Sequence, residues 1–313
     1  MKRPAVVLMS LSMLGPLAAA AHAQANPNPL QVAQLRWYGA NQTGLDFTVG
    51  SHPSGIAFDG QHLWVANAAD DTVKKLRAWD GVLVGTYAVG DAPSAVCFDG
   101  SHVWVANENG GTVTRVRARD GFVAGTYGVG ERPRALAFDG ASVWVVNYDD
   151  DTVSKLRATD GLVQGTYAVG ALPNAIAFDG ENVWITNEGD KTVTRLRAKT
   201  GALAGTSPTD STPHGIAFDG ASMWVSVGTG DVQKLRGSDA ASLGVYGGAP
   251  NPTGVAFDGQ SIWVAGGGKV AKLRASDGAS LGSYTVGASP AAIAFDGAYV
   301  WITNNGSSSV SKR

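Results

Sequence analysis

The stretch Ile56-Ala57-Phe58-Asp59-Gly60, followed three residues later by Trp64-Val65-Ala66-Asn67, returns along almost the whole chain. Its Phe recurs at 98, 138, 178, 218, 257 and 295, and its Trp at 104, 144, 184, 224, 263 and 301. The Phe spacings are 40, 40, 40, 40, 39 and 38 residues, so seven copies of one unit fill the sequence. A period of this length decides the architecture.

Each unit holds four short strand candidates. In the first, strand a is read at Gly55–Phe58, b at Leu63–Asn67, c at Thr72–Arg77 and d at Val84–Val89. Asp59-Gly60 separates a from b, and Asp80-Gly81 separates c from d. Asp-Gly between apolar segments signals a hairpin, because both residues tolerate the positive φ that such turns require. No segment keeps a helical period over two turns. Four antiparallel strands in about forty residues are the composition of a propeller blade. A single blade has two apolar faces and needs a neighbour on each side, which predicts an all-β, seven-bladed β-propeller.

The two ends of the repeat fit this ring. The chain stops at Ser309–Arg313, a truncated strand c with no d after it, while Leu45-Asp46-Phe47-Thr48-Val49 reads as a strand d ahead of the first a. The N-terminus is therefore expected to complete the last blade and remove an exposed edge. Gln31–Arg36 also resembles strand c and competes with 309–313 for that place, so closure by one or by two N-terminal strands stays open.

Ahead of the repeats, Lys2 and Arg3 precede an apolar run, Ala5–Leu17, and Ala21-His22-Ala23 offers small residues at a cleavage site. The domain reading is a signal peptide over 1–23 cleaved after Ala23, a short extension over 24–30, and one propeller over 31–313. This predicts a periplasmic or extracellular protein with no membrane insertion after cleavage. The charge is nearly balanced, with 24 Lys+Arg against 26 Asp+Glu. Basic residues alternate with acids around the ring, which argues against a nucleic-acid partner. Cys97 is the only cysteine, so no internal disulfide forms, and its place in an Ala position of the repeat reads as a small buried hydrophobe.

Periodicity separates scaffold from site. Asp59 and its six equivalents, and Arg77 with its equivalents, recur beside the a–b and c–d turns, where turn formation and surface ion pairs account for them. Asn67, Asn107, Asn147, Asn187 and Asn304 end the b strands and are expected to cap the b–c turns. The opposite face carries the irregular positions. The residue after Pro at the start of strand a, the lead position, runs Ser54, Ser94, Arg134, Asn174, His214, Thr253, Ala291. Glu108, Tyr148, Asp149 and Glu188 on the b–c turns, and Arg132 on a d–a link, fall in the same sector. Arg134, Asn174, His214, Tyr148, Asp149 and Arg132 are the candidate ligand-binding residues, and His52 is expected at the same mouth. His214, Glu188 and Glu108 are the candidate catalytic set, since an imidazole can act as a general base near neutral pH. There is no Cys-x-x-Cys, His-Glu-x-x-His, phosphate loop or Gly-x-Ser-x-Gly elbow.

The phrase Trp-Val-Ala-Asn-x4-Thr-Val, at Trp64–Val73 and Trp104–Val113, resembles the repeats of bacterial YVTN/YncE-like propellers. With its Asp-Gly turn and following Trp it is also similar, more distantly, to virginiamycin B lyase-like (streptogramin lyase) propellers. The first resemblance implies a secreted or periplasmic interaction protein that needs no cofactor. Its partner would be a small molecule, glycan, peptide or envelope protein, and the protein is expected to be a monomer. The second implies a lyase or hydrolase assisted by a divalent metal such as Mg, with His214 and a nearby carboxylate in the reacting positions. That family's Glu-x-His arrangement does not occur in this chain.

Overall fold

The computed structural model describes residues 44–313. The signal segment (1–23), the extension (24–30) and Gln31–Arg36 lie outside the described residues. Seven four-stranded antiparallel sheets follow one another. In blade one the strands are a (Pro53–Phe58), b (His62–Asn67), c (Thr72–Arg77) and d (Leu83–Ala88). Strand a begins two residues earlier than the apolar pattern marks. A register shift between Pro53 and Ile56 lets Pro53 pair with Asn67 beyond an irregular step. A second shift between Lys75 and Leu76 brings Leu83 into strand d.

Blade seven closes three-plus-one. Its sheet runs, from the outside inward, Leu45–Thr48, Ser309–Lys312, Val300–Asn304 and Pro290–Phe295. Leu45 pairs with Lys312 and Thr48 with Ser309, so the place of strand c is held by the C-terminal segment.

The blades are joined face to face by the tryptophans. None of the seven repeat indoles is more than 6% exposed. Trp64 of blade one packs with Val96, Val103 and Val105 of blade two, and the pattern repeats around the ring. At the last seam Trp301 and Val310 meet Ile56, Leu63 and Val65 of blade one, so head and tail share a core. Burying about 150–250 Å² of each indole at ~25 cal/mol/Å² amounts to about 4–6 kcal/mol per tryptophan.

The aspartate ring does more than form turns. Asp59 Oδ1 accepts the amides of Gln61 and His62, while Oδ2 accepts the Trp64 indole N–H at 2.8 Å. The same indole bond recurs at Asp99, Asp139, Asp179, Asp219, Asp258 and Asp296. The a–b turn is thereby latched to the buried indole that holds the next blade. Burial alone pushes the Asp59 carboxyl up, but the Trp64 N–H and the two amides outweigh it and hold its pKa below the ordinary value. The arginine ring behaves as read from the sequence: Arg77 pairs with Asp80, and the same i,i+3 pair recurs at Arg117, Arg157, Arg236 and Arg274. In blade four Thr200 replaces the aspartate, and Arg197 turns to Glu181.

The asparagines differ from expectation. Asn67 Oδ1 accepts the amide of Gly50 in the d–a link entering its blade, and Asn107, Asn147 and Asn187 hold Gly90, Gly130 and Gly170 likewise. Their Nδ2 groups donate to hydroxyls such as Thr112 and Thr114 on strand c. They tie each link to its sheet rather than cap the b–c turn.

Aromatic residues on strand d complete the seams. Tyr87 stacks on Trp64 with centroids 5.5 Å apart, and Tyr127 lies 5.7 Å from Trp104. Phe47 does the same for Trp301. Each ring lies against a left-handed glycine in the next blade's c–d turn: Phe47 against Gly81, Tyr87 against Gly121, Tyr127 against Gly161. A Cβ there would enter the ring. Blade four carries Ser207 in place of the tyrosine, and the next blade has Ala240, φ 61°, in place of the glycine. The one non-glycine in this turn sits where no ring opposes it.

Candidate functional site

The a strands line a central channel. Gly55, Gly215 and Gly254 allow neighbouring strands to approach; a Cβ on Gly55 would lie 2.7 Å from Ala95 Cα. The mouth on the b–c and d–a side is a cavity of about 490 Å³, walled by aliphatic residues such as Ile56 and Leu136, by glycine and alanine, and by the hydroxyls of Ser54, Ser94 and Thr253. Its charged and amide-bearing lining is Glu108, Arg134, Asn174, His214 and Asn305.

Four of the predicted residues therefore line the cavity, and the others stand behind them. Arg134 Nε donates to Glu108 Oε1 at 3.2 Å, and its guanidinium lies 3.6 Å from the Tyr148 ring centroid. Arg132 also reaches Glu108 Oε1, at 3.0 Å, and pairs with Asp149 at 3.2 Å. The Glu108 carboxylate, ahead of Asp149, pushes the Arg132 pKa further up and keeps it a fixed cation. Tyr148 OH lies 3.4 Å from Glu188 Oε2, and His214 Nδ1 lies 3.8 Å from Glu188 Oε1. The last distance is within reach of an ion pair and too long for a hydrogen bond. The network runs without a break from Asp149 in blade three to His214 in blade five. His52 does not join it; it is exposed in its d–a link and does not line the cavity.

A register rule underlies this sector. Two lead residues meet the first b–c residue of the preceding blade: Arg134 faces Glu108, and His214 faces Glu188. In blades one, two and six the lead residue has a structural task that was not legible as a pattern. Ser54, Ser94 and Thr253 each donate a hydroxyl to a carbonyl of the next blade, those of Pro93, Pro133 and Pro290, at 2.6–2.8 Å. Strand b carries alanine in those blades: Ala66, Ala106 and Ala265. In blade four the stitch moves to strand b, where Thr186 Oγ1 accepts Ala175 N and donates to His214 O, both at 2.9 Å. In blade five Ser226 accepts Gly215 N and bonds within its own blade rather than to the next. Thr186 thus relieves Asn174 of stitching, His214 makes no such bond, and blade three, with Arg134 and Val146, has no hydroxyl at either position. The signal was present in the sequence, where a hydroxyl on the lead position goes with Ala on strand b, as in Ser54/Ala66, and its absence from the lead with a hydroxyl on strand b, as in Asn174/Thr186.

Other features weigh on the chemistry available. No group of three or more His, Cys, Asp or Glu close enough to share an ion occurs among the described residues. No helix among them is long and apolar enough to cross a membrane. Cys97 is half-buried rather than buried as the repeat implies, and desolvation pushes its thiol far up.

The fold and this mouth define the chain as a seven-bladed propeller whose charged channel-lining residues fall in one sector. Among solved structures it is similar to one described as a streptogramin B lyase, with a TM-score of 0.74 at 18% identity over 86% of this chain and 96% of that one. Hydrazine synthase of Kuenenia stuttgartiensis is similar at a TM-score of 0.74 and 16% identity, over 87% of this chain and 98% of that one. Identities this low speak for the fold alone. No family model matches the sequence, and no curated protein does.

Proposed function

We propose that this protein is a binding module that works outside the cytoplasm and takes a small polar ligand, or a polar segment of a partner, at the channel mouth between blades three and five. The observation that carries the reading is the release of Arg134, Asn174 and His214 from the inter-blade stitch that Ser54, Ser94 and Thr253 perform. Loops at one end of a rigid scaffold are the usual place for binding groups. The extracytoplasmic setting rests on the signal segment, and N-terminal sequencing of the exported protein should begin at Gln24. The binding reading is tested by calorimetric titration with glycans, peptides and organic acids against the parent and Asn174→Trp, whose indole would fill the mouth. Ligands that bind the parent and lose affinity in Asn174→Trp support it; ligands that bind both equally refute it.

The contact between His214 and Glu188 favours one second reading, a lyase or hydrolase assisted by a divalent metal. Glu188, or Glu108 across the mouth, would hold the ion, since Mg²⁺ takes one or two carboxylates and keeps several waters. His214 would accept a proton at its free Nε2. Turnover of an ester-linked cyclic peptide that disappears in His214→Ala, with the fold intact by circular dichroism, would establish it; no turnover with added Mg²⁺ or Mn²⁺ would remove it.

A further inference from the structure

The mouth holds unspent hydrogen-bonding capacity of a definite kind. Arg134 uses Nε on Glu108 and its face on Tyr148, while its two terminal nitrogens have no acceptor among the described residues. The Asn174 side chain, which lines the same cavity, has no partner there either. A guanidinium fixed by stacking and by one carboxylate, with two parallel N–H groups free, is a fork suited to a planar oxyanion. Beside His214, Glu188 is met only by the long Tyr148 contact and by that imidazole, so its carboxylate can still accept.

The surroundings narrow the ligand further. The b–c turns and d–a links of blades one to five carry acids well beyond this network, among them Asp71, Asp91, Glu131, Asp151 and Asp210, against Arg132, Arg134 and Lys191 as the cations. A ligand of net negative charge is repelled on approach to such a face, whereas a neutral or cationic one is not. Resting on the binding reading above, we infer that the ligand is a zwitterion of the amino-acid or short-peptide type. Its carboxylate takes the Arg134 fork and the Asn174 amide, and its ammonium group turns toward Glu188.

Three probes of one skeleton separate the parts: the dipeptide Ala-Ala, its C-terminal amide and its N-acetyl form, titrated by calorimetry and by NMR. Ala-Ala is expected to bind. Amidation should weaken it roughly tenfold to hundredfold, the scale of a lost bidentate charge-assisted pair, and acetylation roughly threefold to tenfold. Arg134→Gln should abolish the preference for the free carboxylate, and Arg134→Lys, which keeps the charge and loses the fork, should retain part of it. Melting curves of both variants show that the blade is intact. An amide that binds as tightly as Ala-Ala, or a preference that survives in Arg134→Gln, overturns the inference. If Asn174→Trp still blocks the probes in that case, the mouth remains a binding site for a different chemistry. No binding of any of the three at millimolar concentration overturns the zwitterion assignment.

Discussion

Placing a methyl group on Gly161 should destabilise the ring, and removing a tyrosine from the neighbouring blade should cancel the steric part of that damage. Gly161 has φ 78° and lies against the Tyr127 ring at the seam between blades two and three. Gly161→Ala meets two penalties. An L-residue in the left-handed region costs roughly 1–2 kcal/mol, and forcing a methyl into a packed ring costs roughly 1–3 kcal/mol more. Tyr127→Ser removes a half-buried aromatic that lies 5.7 Å from Trp104. It should cost about 2–3 kcal/mol, below the value for a fully buried ring. In the double variant the clash has no partner, so only the backbone penalty remains, as at Ala240 beside Ser207. The coupling energy should therefore equal the packing penalty, about 1–3 kcal/mol. Equilibrium urea unfolding of the four proteins, followed by tryptophan fluorescence, measures it. Losses that add to within about 0.5 kcal/mol would show that the ring and the glycine do not constrain each other.

Further outcomes follow from other contacts. Asp59, Asp99, Asp179 and Asp258 have pKa values below the ordinary carboxylate value, so the stability they supply is present above about pH 4 and is lost as pH falls through their folded values. Acid titration should unfold Asp99→Asn, whose latch no longer titrates, with a shallower pH dependence than the parent; an unchanged slope would count against the latch. Ser94→Ala should cost about 1 kcal/mol by opening the bond to Pro133, and adding Ala106→Thr should restore part of it, as Thr186 does in blade four. Recovery absent from the melting curves of the double variant would dispose of the exchange. Cys97 should resist a thiol reagent in the native protein and react fully once unfolded; immediate native labelling would contradict its protection.

The Phe and Trp periods carried the blade count, and the stray strand Leu45–Val49 carried the closure, because each reports a face that must be buried. Which strand c would win was not legible, since Gln31–Arg36 and Ser309–Lys312 both suit that place by pattern. The aspartate ring was legible as turn chemistry but not as an indole latch: its second oxygen acts five residues away on the far side of the hairpin. The role of the asparagines was hidden for a similar reason, as Gly50 is 17 residues from Asn67 and meets it only because the a–b hairpin pairs Pro53 with Asn67. The mouth cluster emerged from irregularity alone. Its members came together because Arg134 and His214 each meet the preceding blade's b–c turn, a neighbour relation that follows from the ring and is invisible in one repeat.

The bond between Leu45 and Lys312 also sets a timetable for making the molecule. The outermost strand of the last sheet is translated first, and its partner roughly 270 residues later. At about 5–20 residues per second, that strand waits on the order of 15–50 s with its hydrogen-bonding edge bare. Until Ser309–Lys312 arrives, blades one to six can form only an open arc with an unmatched apolar face at each end. A chain stalled just short of Ser309 should for that reason be far more prone to self-association than any full-length variant with a weakened seam.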